Sequence, residues 1–146
     1  MTIALVDDQL LGAYLRGRPP RFLASKQLYT TGYWYIRLCQ AVLGTREWAG
    51  VLSRPFVGLP ADLRDRAFAA VLELPAEVGL LSLRQLGPRI AQLRDDNPLN
   101  ILGLEALAAA THLQASVYLS APSPKLEQAL RASNLKVKVQ APARRR

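Results

Sequence analysis

Two adjacent carboxylates, Asp7 and Asp8, close the short apolar run Ile3-Ala4-Leu5-Val6, and a helical pattern starts directly behind them with Gln9-Leu10-Leu11-Gly12-Ala13-Tyr14-Leu15-Arg16. A buried parallel strand reads as a continuous apolar run, and open α/β sheets bind ligands outside the carboxyl ends of their strands. Acid at that point stands where ligand chemistry takes place. The same residues also suit a structural task, since aspartate is a favoured helix N-cap and negative charge is stabilising at a helix N-terminus.

Other reactive side chains are isolated. Cys39 is the single cysteine and His112 the single histidine, so neither an internal disulfide nor a structural zinc site has ligands. Cys39 falls on the apolar face of a helical pattern and reads as a small buried hydrophobe. His112 lies on an alanine-rich helical stretch without a Ser or Cys partner pattern, and reads as a packed or surface residue. Asp95 and Asp96 precede Asn97-Pro98, which is turn chemistry. No Gly-rich phosphate loop of the Walker or dinucleotide type is present.

The cations are grouped. The net charge is +8, and from Gln9 to Arg46 there is no acidic residue, while Arg16, Arg18, Arg21, Lys26, Arg37 and Arg46 all lie there. The chain closes on Arg144-Arg145-Arg146, so residues 141–146 read as a basic tail. Clustered cations attract polyanions by counterion release and long-range steering, which points to nucleic acid as a partner.

The elements that must position these residues alternate. Length suits one domain over residues 1–140. A first helix is expected from Asp8 to Arg16, stopped by Gly17-Arg18-Pro19-Pro20. Residues Ala24 to Leu43 read as mostly helix ending at Gly44, with a short strand at Leu28–Thr31 as the competing reading of its front half. Gly50–Gly58 reads as a loop, and a helix opens at Pro60-Ala61-Asp62-Leu63 and closes at Pro75. A strand at Val78–Leu81, a helix from Ser82 or Leu83 to Arg94 with Pro88 inside it, and a helix from Leu102 to Leu113 follow. A strand at Val117–Leu119, a helix at Pro124–Ala132 and a strand at Leu135–Val139 complete the pattern. Short apolar strands alternating with helices predict an α/β fold with a parallel-type central sheet flanked by helices. The aromatic group Tyr29, Tyr33, Trp34 and Tyr35 recurs near helical spacing, which favours core or a dimer interface over base stacking. No apolar run reaches the length of a membrane span. The N-terminal run is too short for a signal peptide, and the expected location is cytoplasmic.

This order resembles the PIN domain, a family of small three-layer α/β/α nucleases, many of them toxins of toxin–antitoxin pairs. Val6-Asp7-Asp8-Gln9-Leu10-Leu11 matches its first motif, a strand followed by Asp and a helix. Leu102-Gly103-Leu104-Glu105-Ala106-Leu107-Ala108-Ala109-Ala110-Thr111 matches its later helix, with Glu where Asp is usual. The resemblance covers nearly the whole chain in element order, and its individual motifs are short.

The resemblance implies a metal-dependent endoribonuclease using Mg²⁺ or Mn²⁺. Such an ion sharpens a water nucleophile and steadies charge on the phosphate. Asp7 and Glu105 are the catalytic and metal-binding residues that carry over, and Asp8, as the neighbour of Asp7, is expected to point elsewhere. Arg16, Arg18, Lys26 and Arg37 would position RNA phosphates, and an antitoxin or a second copy of the chain would be the protein partner. Two positions depart from the family pattern. An acid usual around Tyr35, Ile36 and Arg37 is absent, with Arg37 bringing the opposite charge, and Ser120-Ala121-Pro122-Ser123 lacks the last acid or amide. Affinity for free metal should then be poor, and the alternative is a catalytically inactive PIN-like module that binds RNA or a protein.

Overall fold

The computed structural model describes residues 2–44 and 50–141. The elements run β1 (Ile3–Val6), α1 (Asp8–Leu15), β2 (Gln27–Thr30), α2 (Gly32–Leu43), α3 (Arg54–Val57), α4 (Ala61–Leu72) and β3 (Gly79–Leu80). They continue through α5 (Leu83–Leu93), α6 (Ile101–Leu113), β4 (Ser116–Leu119), α7 (Pro124–Ala132) and β5 (Val137–Val139). The strands form one sheet in the order β3-β2-β1-β4-β5. Every pairing is parallel, with Leu5 opposite Tyr29 on one side and Val117 on the other. The chain is an α/β fold of three layers.

Strand residues alternate between the two faces of a sheet, and both faces are covered here. Ala4, Val6, Leu28 and Tyr118 pack against Leu10, Leu11 and Leu15 of α1, Leu38 and Val42 of α2, Phe56, and Val71 of α4. Leu5, Val117 and Leu119 face Leu86 and Ile90 of α5, the alanine-rich α6, and Leu126 and Leu130 of α7. Helix α6 is buried continuously from Gly103 to Ala110, as expected of a helix that is apolar all round. Trp34 belongs to the second core while Leu38 and Val42 belong to the first, so α2 stands where the two layers meet.

The sheet order places a switch at β1. From β1 the chain builds outward through β2 to β3, then returns to the other side of β1 with β4 and β5. In open parallel sheets such a reversal leaves a crevice outside the carboxyl ends of the two strands that flank it. Here those ends are Val6-Asp7 and Leu119-Ser120.

Several elements differ from the sequence expectation. The front of Ala24–Leu43 is not helix: Gln27–Tyr29 pairs with Ile3–Leu5, and Thr31 then caps α2 by accepting from Trp34 N–H at 3.2 Å. Tertiary pairing overrides local periodicity there. The expected loop Gly50–Gly58 contains the short helix α3, whose Phe56 is fully buried. Helix α5 continues through Pro88. The end strands are shorter than their apolar runs, and the basic tail lies outside the described residues except for Ala141. Trp34 is buried and the Tyr35 hydroxyl donates to the Val71 carbonyl at 2.6 Å, which makes the middle of the aromatic group core. Among the described residues no helix is long and apolar enough to cross a membrane.

Strand β3 depends on a missing side chain. Gly79 lies opposite Tyr29, and a Cβ at that position would fall within the Tyr29 ring. Gly79→Ala is expected to destabilise the fold by roughly 1–3 kcal/mol, the usual cost of overpacking. Urea unfolding checks this, and an unchanged midpoint would contradict the packing described.

Candidate functional site: the acidic edge of the sheet

Asp7 ends β1 and caps α1. Its Oδ1 accepts the backbone N–H of Leu10 at 3.1 Å, while Oδ2 accepts from Ser120 twice, from N–H at 2.7 Å and from Oγ–H at 2.6 Å. One carboxylate therefore joins the start of α1 to the end of β4. It is only 6 % exposed. Burial pushes its pKa up from the ordinary value of 3.8, against the Ser120 and Leu10 hydrogen bonds and the positive charge of Arg37.

Asp8 does not point away from this edge. It is equally buried, Oδ1 accepts Gln9 N–H at 2.9 Å, and Oδ2 lies 3.3 Å from Nε of Arg37 without a hydrogen-bond partner. Burial raises its pKa, the neighbouring Asp7 charge raises it further, and Arg37 opposes both.

Glu105 projects from the second turn of α6 and is fully buried. Its Oε1 accepts Tyr33 N–H at 2.8 Å and its Oε2 accepts Gly32 N–H at 3.2 Å. The first helical N–H groups have no partner within their helix. In α2 those of Gly32 and Tyr33 are met by Glu105, and that of Trp34 by Thr31. Gly32 is needed for the approach, since a Cβ there would stand 3.1 Å from Oε2. The Thr30 hydroxyl donates to the Val6 carbonyl at 2.9 Å and ties the end of β2 to the end of β1. Asp7, Asp8 and the α2 terminus that Glu105 caps thus share the carboxyl edge of the sheet.

The basic residues divide. Arg37 reaches the acidic edge. Arg16 and Arg18 come after the far end of α1, and Lys26 precedes β2. An eight-residue helix, about 12 Å of rise, separates them from Asp8. The arrangement of all four around Asp7 is therefore corrected: strand and returning helix place three of them at the opposite edge. The Arg16 guanidinium lies over the Phe56 ring, 5.2 Å from its centroid, and burial together with Arg18 lowers its pKa to about 10. Lys26 Nζ lies 6.0 Å from the centroid of Tyr118. Arg46 is outside the described residues.

A divalent ion with a catalytic role needs carboxylate oxygens with open lone pairs and room for water and substrate. Glu105 offers neither, enclosed and bonded to two backbone N–H groups. Among the described residues no group of three or more His, Cys, Asp or Glu is placed to hold a metal ion. Asp7 and Glu105 in this arrangement do not fit a resident Mg²⁺ or Mn²⁺. Both departures from the PIN pattern act on the acids: Ser120 bonds Asp7 and Arg37 pairs with Asp8. An arginine where the pattern has an acid is the signal in the sequence that a neighbouring carboxylate, Asp8, has an internal counter-charge. No family model matches the chain, and no curated protein matches it.

Glu105→Ala is expected to cost about 2–4 kcal/mol, because two helix N–H groups lose their acceptor and a cavity opens. Glu105→Gln, which retains one acceptor oxygen, should cost less in the same urea titration. An alanine variant as stable as the wild type would refute the capping role. The raised Asp8 has a pH consequence. A carboxyl with its folded pKa above its unfolded one binds a proton more readily when folded, so its contribution to stability falls as pH rises through that window. Relative to Asp8→Asn, the wild type should gain stability as pH is lowered from neutral toward 3.8. Unfolding titrations at stepped pH test this, and the opposite slope would exclude it.

Proposed function

We propose that this chain is a PIN-like domain that binds RNA and does not hydrolyse it through a resident metal. The observation that carries the reading is the use made of the acids: Asp7 and Glu105 are taken up by Ser120, Leu10, Gly32 and Tyr33, and Asp8 by Arg37. The resemblance supplies the substrate class, and the charge supports it. Among the described residues the ion pairs join Arg37 to Asp8 and Arg131 to Glu127. Arg18, Arg21 and Lys26 are therefore left without a carboxylate partner, on one connector between α1 and β2. Such a connector suits a phosphate backbone, whose contacts fix orientation without reading sequence.

Binding is expected to weaken steeply with salt through counterion release. Arg18→Ala/Arg21→Ala should reduce affinity at low salt, with chelator and Mg²⁺ giving equal binding and no cleavage. Fluorescence anisotropy with a labelled single-stranded RNA, beside gel analysis of the same RNA, reads both. Cleavage that requires Mg²⁺ or Mn²⁺ and disappears in a folded Asp7→Asn protein would establish the metal-dependent endoribonuclease instead. Absence of both binding and cleavage would refute the RNA reading and favour a protein partner, such as an antitoxin or a second copy.

A further inference from the structure

A buried carboxylate oxygen without a hydrogen bond is costly unless a charge meets it. Asp8 Oδ2 is such an oxygen, on a side chain with 9 % exposure, and Nε of Arg37 meets it at 3.3 Å. Arg37 comes from another helix, α2, and its side chain is 56 % exposed. The pair is asymmetric, an enclosed anion and a cation that reaches it from the solvent side. Asp7 stands beside Asp8 with one oxygen bonded only to Leu10 N–H.

The geometry points to Arg37 as the resident cation of this edge, a guanidinium held where a divalent ion would otherwise bind Asp8 and Asp7. Arg37 keeps the edge closed to metal. The inference rests on the non-hydrolytic reading above and adds its cause, a single displaceable side chain rather than loss of the acids. Two features support it. Asp8 Oδ2 has both lone pairs free of hydrogen bonds, which is what a hard cation requires of its ligand. The Arg37 head is largely in solvent, so its removal leaves the buried core intact.

The test is Mn²⁺ titration of the full chain followed by electron paramagnetic resonance, with circular dichroism confirming the fold of each variant. Arg37→Gln is expected to bind Mn²⁺ at least about tenfold more tightly than the wild type, because a unit positive charge at contact distance has been removed. Arg37→Met, which keeps the aliphatic stem, is the second variant and should behave alike. Arg37→Lys should remain as weak as the wild type, and Arg37→Gln/Asp8→Asn should lose the gain. Wild-type protein binding Mn²⁺ as tightly as Arg37→Gln would overturn the inference. So would the absence of a gain in both neutral variants, or a gain that survives Asp8→Asn. Wild-type protein that binds RNA while its Arg37 variants gain no Mn²⁺ overturns this inference alone. Mn²⁺-dependent RNA cleavage by the wild type overturns the reading beneath it.

Discussion

The Asp7 carboxylate holds together the part of the fold on which the candidate site depends. It accepts from the first turn of α1 with one oxygen and from the residue after β4 with the other. It therefore bridges the two strands at which the sheet reverses its building direction. Glu105 does the equivalent work one strand away, where α6 on one layer caps α2 at the junction of both cores. Each carboxylate loses hydration on burial, and charge-assisted hydrogen bonds from backbone N–H groups offset that loss. The acids are interior connectors between layers.

Such connectors and a metal centre make opposite demands. A metal site needs oxygen lone pairs left open and accessible, whereas a connector needs them filled and enclosed. In this chain the filling is done by residues at the two positions that depart from the PIN pattern, Ser120 and Arg37. The second of these also settles the charge. Two adjacent aspartates at a buried helix N-terminus repel each other, and a guanidinium at 3.3 Å from one of them reduces that repulsion without a bound ion.

The remaining cations lie elsewhere because of helix geometry. Strand β1 carries the chain to the acidic edge, and α1 carries it back, so the connector after α1 emerges at the far edge. Arg16 and Lys26 there lie over the rings of Phe56 and Tyr118, which orient their stems by contact with aromatic faces. The molecule is polar in its charge layout, acidic and compensated at one end of the sheet, basic and unpaired at the other.

Much of this order was legible in local pattern. The apolar run ending at Asp7, the stop at Pro19-Pro20, the helix Pro124–Ala132 and the alanine-rich helix before β4 are short-range signals that depend on dihedral preference and apolar period. Strand β2 was ambiguous for the same reason: Gln27–Thr30 has no strong period of its own and becomes a strand only by pairing with β1. The candidate site divides similarly. That Asp7 stands at a strand end and caps a helix was readable from sequence. That Glu105 reaches Gly32 and Tyr33, that Asp8 turns inward to Arg37, and that Ser120 closes on Asp7 were not. The partners in these pairs are far apart in the chain, Tyr33 and Glu105 by 72 positions and Asp7 and Ser120 by 113. The sequence by itself determined which residues are acids and on which elements they ride. Only the tertiary structure decided whether their oxygens face a ligand or a backbone N–H, because that depends on how helices from both layers converge at one edge of the sheet.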